Sequence, residues 1–252
     1  MATPTLKPEV VEQEVLVNYL VSMARTVEGT VNRSLDALIG LGDPRTGSLP
    51  SEIFMLEPRI NEMEMIIDEY AVRLLRKASL PEEDTRLTVA SLKITKDLER
   101  MGDLCVNLAE RVISLNQMLP VTAPAELAPM VAAARAMVSR ALGALIFRNV
   151  ILATGVLESD DIVDRYRDRV FEHLMLQMTT DAGVVAPNMQ FILATRHLER
   201  IADHATNIAE EIIFWIRGLD VRHGHAAPDP SGTEADVRET LCTRDSALTW
   251  RA

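Results

Sequence analysis

The strongest constraint on this chain is that it writes one stretch twice. Residues 97–112, DLERMGDLCVNLAERV, lie without a gap over residues 197–212, HLERIADHATNIAEEI. Leu98, Glu99, Arg100, Asp103, Asn107, Ala109 and Glu110 each meet their own residue type one hundred positions on. Such self-similarity at a long period marks a structural unit that is repeated and packed on its copy. Around both copies the apolar residues step by three or four. One stripe runs Leu87, Ala90, Ile94, Leu98, Met101, Cys105, Leu108, Val112 and Leu115; the other runs Ala194, Leu198, Ile201, Ala205, Ile208, Ile212 and Trp215. This is the buried face of a long amphipathic helix.

Breakers divide the rest. GLGDPRTGSLP (40–50) ends a first helix, and SLPEED (79–84) separates a second from a third. Pro81 stands at a helix start, with acids behind it that suit the positive end of the helix dipole. LPVTAP (119–124) divides the halves, a further break falls at Glu158–Asp160, and TTDAGVVAP (179–187) makes the last turn. The expectation is an all-α fold of six long helices in two tandem three-helix bundles with pseudo-twofold similarity. The first bundle covers 1–120 and the second 121–221; residues 222–252, polar and without period, are expected to form a flexible tail.

Composition narrows the function classes. Hydrophobic residues make up 48% of the 252, enough for a large core, while the aromatic share of 4% suits helix packing better than a β-sandwich. A formal charge of −11 argues against nucleic acid as a partner and against unaided docking on anionic lipid. Cys105 lies on an apolar stripe and Cys242 in the tail, so neither a disulfide framework nor a cysteine zinc site is expected. MATPTLKPEV lacks the pattern of a signal peptide, and no run approaches 18 uninterrupted apolar residues. The expected location is therefore the cytoplasm.

The repeated acids raise a chemical question. Glu99 and Asp103 are four apart, as are Glu199 and Asp203, so each pair shares a helix face at a mild cost in repulsion. Folding the second helix back from the turn near residue 80 sets residue 59 level with residue 101, and there stand Glu57 and Asn61. The turn near 181 likewise brings Asp160 and Asp164 level with Glu199 and Asp203. Each hairpin thus offers four oxygen-bearing side chains at one height, about 30 Å from its turn. That donor set suits magnesium, manganese, iron or calcium ions, which would turn repulsion into attraction. The second set carries the more charge, because Asn61 is neutral, and is expected to be the stronger. The competing expectation is that Arg59, Arg100, Arg165 and Arg200 neutralise the acids in ion pairs.

His197 and His204 flank the second pair but have Asp97 and Leu104 as their counterparts, so they read as polar surface residues; a ligand role for His204 stays open. A ferritin-like di-iron centre needs Glu-x-x-His on two helices, and no Glu here has His three residues later. No Gly-rich phosphate loop and no nucleophile triad stand out.

The two quoted stretches closely resemble the duplicated Glu-Arg-x-x-Asp signature of the PhoU family, bacterial accessory proteins of phosphate transport and regulators of the phosphate regulon. The resemblance runs from about residue 10 to 223 and includes SLPEEDTRLTVASLKI before the first signature and GLDVRH after the second. It implies two three-helix bundles whose acidic motifs hold iron, zinc or other metals, here Glu99 with Asp103, Glu199 with Asp203, Asp160 with Asp164, and Glu57 with Asn61. It implies a regulator rather than an enzyme. That regulator would link the ATPase subunit of the phosphate ABC transporter to a membrane sensor histidine kinase, and hold the starvation response off when phosphate is plentiful. Three features depart from the family pattern: Thr85 between Asp84 and Arg86, Asn61 in place of an acid, and the length of the tail. The competing reading is a metal-dependent hydrolase or oxidase built on the same carboxylates.

Overall fold

The computed structural model of the chain describes residues 8–77, 80–118 and 120–222. Helices dominate: α1 (Pro8–Ile39), α2 (Leu49–Leu75), α3 (Glu82–Gln117), α4 (Leu127–Phe147), α5 (Val150–Leu157), α6 (Asp160–Thr180) and α7 (Val185–Arg217), with a 3-10 turn at Ala182–Val184 before α7. The six long helices are those the periodicity predicts, and no strand occurs among the described residues. The expected tail lies outside those residues beyond Arg222, as does Cys242.

Helix ends follow their sequence signals. Pro81 precedes the first turn of α3, where Glu82, Glu83 and Asp84 face the positive end of the dipole. Gly218 closes α7 at φ 69°, and its N–H donates to the Phe214 carbonyl at 2.9 Å. One break was not expected. Arg148 takes the left-handed conformation at φ 49° and ψ 49°, and the Asn149 side chain accepts from the Leu152 N–H at 3.2 Å, so a separate short α5 begins there.

In the first half α1, α2 and α3 pack on one another; in the second, α4, α6 and α7 do so, with α5 laid on α4 and α7. The halves meet chiefly through α3 and α7 and more narrowly through α1 and α4. One continuous apolar core runs through both, from Leu20, Val27 and Ile60 to Leu142, Val170 and Phe191. Among the described residues α4 alone is long and apolar enough to cross a membrane, and half of its most apolar stretch is buried in this core.

Polar contacts fix how α3 and α7 cross. Arg86 reaches the Trp215 carbonyl, Lys93 reaches Glu211, Asp97 meets His204, and Arg111 meets Gln190. Partner numbers fall along α7 as they rise along α3, so the two helices are antiparallel. Interpolation along this ladder sets Met101 level with residues 200–203. The two repeated acid pairs therefore occupy one level, at the waist of the molecule.

Candidate metal centre

The first acidic set forms where α2 and α3 come closest. A Cβ on Gly102 would stand 3.1 Å from Cδ1 of the buried Ile60, so glycine lets the helices approach there. The approach brings Glu57 on α2 to Glu99 and Asp103 on α3, as the register predicts. Burial and then the neighbouring Glu99 push the Asp103 carboxyl above its usual range; Arg100 opposes them and Glu57 adds to them. Glu99 is only 9% exposed. Lys96 Nζ lies 3.0 Å from its Oε2 and Arg100 Nε 3.6 Å, so that oxygen is ion-paired. Asn61 donates through Nδ2 to Glu57 Oε1, which leaves the buried Asn61 Oδ1 without a donor. Lys96 also donates to Glu64 Oε1 at 3.0 Å. Burial and Glu64 in turn raise the Asp68 carboxyl.

The second set repeats this with different cations. Burial lifts the Asp203 carboxyl to about 6, helped by Glu199, Asp160 and Asp164 and opposed by His204. The other three predicted acids thus all act on Asp203. Thr206 donates to Asp160 Oδ1 at 3.0 Å. The Arg167 guanidinium enters between α6 and α7: Nη1 pairs with Asp164 Oδ1 at 3.1 Å and also with Glu199, and Nη2 stands 2.9 Å from Asp168 Oδ1.

The ion-pair expectation is met in kind but mostly by other residues. Arg100 does pair, with Asp103 Oδ2 at 3.3 Å. Arg59, Arg165 and Arg200 lie on exposed faces, and no ion pair joins them to the acids among the described residues. Two residues beyond Arg165, Arg167 lies on the other side of α6 and faces α7; its spacing of three from Asp164 was the available signal. The histidines also differ from expectation. His204 is no surface residue: it and Asp97 are each 17% exposed and bond Nδ1 to Oδ1 at 2.8 Å, with Asn207 donating to the same oxygen at 3.2 Å. Its ring is directed at the other half rather than at the acids. His197 is partly buried, and burial, with Arg111 next, depresses its pKa.

These residues fit a hard or borderline divalent cation in donor type and in level. Every predicted ligand is an oxygen donor, and each half carries a carboxyl raised by burial and then by like charge. Among the described residues, however, no group of three or more His, Cys, Asp or Glu side chains is arranged around one point. Their oxygens are turned instead onto Lys96, Arg100 and Arg167.

The chain matches the PhoU domain family twice, over residues 20–112 and 127–212. It is 35% identical over 213 residues to the phosphate-specific transport system accessory protein PhoU homolog of Pseudomonas aeruginosa, covering 84% of this chain and 86% of that one. A homolog of the same description from Synechocystis is 32% identical over 208 residues, covering 82% and 88%. The crystal structure of PhoU from Pseudomonas aeruginosa superposes with a TM-score of 0.78 at 33% identity, over 82% of this chain and 98% of that one. The phosphate transport system regulatory protein PhoU from Streptococcus pneumoniae shares the fold, with a TM-score of 0.75 at 23% identity over 84% and 99%.

Proposed function

The chain belongs to the PhoU family, and on that premise we propose that it is a cytoplasmic regulator that restrains phosphate uptake and represses the phosphate-starvation response. The observation that carries this reading is the match of both halves to relatives named as phosphate-transport accessory proteins. In this reading the protein works by binding. It links the ATPase subunit of a phosphate ABC transporter to a sensor histidine kinase, reaches the membrane only through them, and works as a homodimer. Its two halves, 1–120 and 121–221, present long rigid helix faces to those partners.

Metal ions, with iron, zinc, manganese and magnesium as candidates, belong to the same proposal. Glu57, Asn61, Glu99 and Asp103 would hold one group, and Asp160, Asp164, Glu199 and Asp203 the other. Bound there, a cation supplies positive charge that cancels carboxylate repulsion and fastens α2 to α3 and α6 to α7. The protein's own part is to hold the donors level: Gly102 permits the close approach, and Thr206 orients Asp160. The hydrolase or oxidase reading has no support in the relatives, and no general acid or base of distinctive type accompanies the carboxylates.

The test is alkaline phosphatase activity in the source cells grown in abundant phosphate, with and without the gene. High activity only in the deletion is the expected result. Equal, low activity in both strains would overturn the repressor role.

A further inference from the structure

The α3–α7 seam joins two copies of one sequence running antiparallel, so each contact on one side of the waist has a mirror position on the other. On the side toward the start of α3 the seam is complete. Lys93 pairs with Glu211 at 3.0 Å, and Asp97 meets His204 at 2.8 Å and Asn207 at 3.2 Å. The offset of one hundred carries these residues to the other side with their charges changed. Glu211 has Arg111 as its counterpart, Asp97 has His197, and Lys93 and His204 have Leu193 and Leu104. Both acids are replaced by nitrogen donors, and the groups that faced them by leucines. The carboxylates that complete the first side have no equivalent on the second.

The donors left there are short of acceptors. Arg111 donates to Gln190 through Nη1 and to Glu110 through Nη2, each at 3.1 Å, but its buried Nε finds no acceptor among the described residues. His197 Nδ1 is also buried and also without a partner among them. A buried polar group in that state costs about 1–3 kcal/mol. The positive charges that bear on His197 are Arg111 across the seam, then Arg200 and Arg196 on its own helix, with Glu110 opposing them. The Arg111 side chain is 25% exposed, and Arg196 and Arg200 are exposed, so solutes reach this cluster from water.

We propose that this side of the seam, with Arg111 and His197 at its base and Arg196 and Arg200 at its rim, binds a phosphate dianion in place of the missing carboxylates. A guanidinium fork beside an imidazole N–H matches a tetrahedral oxyanion in charge and in donor geometry. Glu110, half exposed, pairs with Arg111 when the site is empty and competes with the ligand. The inference goes beyond the proposed role, since a regulator with this site reads phosphate itself as well as its partners. It needs neither acidic set and no metal ion. The same chemistry would accept inorganic phosphate or a phosphoryl group carried by a protein.

The experiment is calorimetric titration of the full-length chain, stripped of metal on a chelating resin, with inorganic phosphate in a chloride buffer. Saturable binding at a single site is expected. Arg111→Gln should weaken it by about tenfold or more, the weight of one charge-assisted hydrogen bond. His197→Ala should weaken it as well. Glu110→Gln removes the competing carboxylate and should tighten it, a gain that a disturbed fold cannot produce. Arg59→Gln removes an exposed arginine elsewhere and should leave binding within about threefold of the wild-type chain. O-phospho-L-serine, titrated in parallel, separates the sources: tighter inorganic phosphate supports the free ion, and tighter phosphoserine supports a phosphoryl group on a partner. Absence of phosphate binding in both the wild-type chain and Glu110→Gln would overturn the inference. So would equal weakening in Arg111→Gln and Arg59→Gln, which would show general attraction to positive charge. In either case the repressor role, tested in cells, would stand.

Discussion

Single residues decide how near the helices come and how much charge they bear. Gly102 is the clearest case, since its missing side chain makes room for Ile60. Gly102→Val is expected to lower stability by about 1–3 kcal/mol through overpacking, read as a fall in the urea midpoint. The corresponding position in the second half is Ala202, facing the level of Val163 rather than isoleucine; a larger residue on one helix goes with a smaller one on the other. Asp203 gives a pH prediction. Its folded carboxyl titrates at about 6 against an ordinary value of 3.8. The native state therefore holds that proton more tightly than the unfolded chain, and the linked stability grows as pH falls from 7 through 6 and levels off below 4. Solvent reaches this carboxyl and screens it, so the penalty at pH 7 is about 1 kcal/mol. In a chelating buffer, Asp203→Asn should be more stable than the wild-type chain at pH 7 and should lose that advantage near pH 4. An advantage unchanged by pH would mean that the carboxyl is not raised. The register of Glu57, Asn61, Asp160 and Asp164 was legible, because helical rise and turn position are arithmetic on the sequence. Arg167 is not legible, because the immediate neighbours of the acids are Arg165 and Arg200, whose side chains face water. The burial of His204 is hidden for a related reason: its partner Asp97 belongs to the other half, and no periodicity within one half reveals a contact across both.

At the scale of elements, length and stripe were enough to identify six long helices, and Pro81 and Gly218 mark their ends where the signals stand. The break before α5 is weakly signalled, since IFRNVILATGV is apolar on both sides of Arg148 and Asn149 and carries no Pro or Gly at the break. Its only signals are an asparagine able to cap and an arginine that carries no glycine-like warning of positive φ. That break depends on the cap. Asn149→Ala removes the acceptor for the Leu152 N–H and should cost about 1 kcal/mol, seen as a lower thermal midpoint without change in the acidic sets. The contact of the Arg148 guanidinium with the Trp215 ring, 5.3 Å to the centroid, holds the same corner against α7. Between α3 and α7, Lys93 is the chief partner of the buried Glu211, with Arg222 4.0 Å away. Lys93→Met should cost about 1–3 kcal/mol in urea unfolding by leaving that carboxylate short of charge.

For the whole molecule, the duplication was legible from the first repeated stretch, and with it the two-bundle plan. How the halves join was not, because each stripe shows that a helix is buried without saying against which neighbour. The structure answers with the antiparallel α3–α7 crossing and one core shared by both halves. The halves should accordingly unfold together, with coincident transitions by circular dichroism and by the fluorescence of Trp215 in a Trp250→Phe chain; separated transitions would show two independent units. The same crossing puts both acidic sets at the waist, where a bound cation in either half would stiffen the helices that both halves share. If the proposed role is right, regulation depends on these waist carboxylates. Its most direct test is alkaline phosphatase activity at high phosphate in cells whose only copy of the gene encodes Asp103→Ala with Asp203→Ala, at protein levels and helicity matched to the wild-type chain. This variant is expected to fail to repress, with activity near that of the deletion. Full repression by the double variant would contradict it, leaving the helix faces alone to carry the signal.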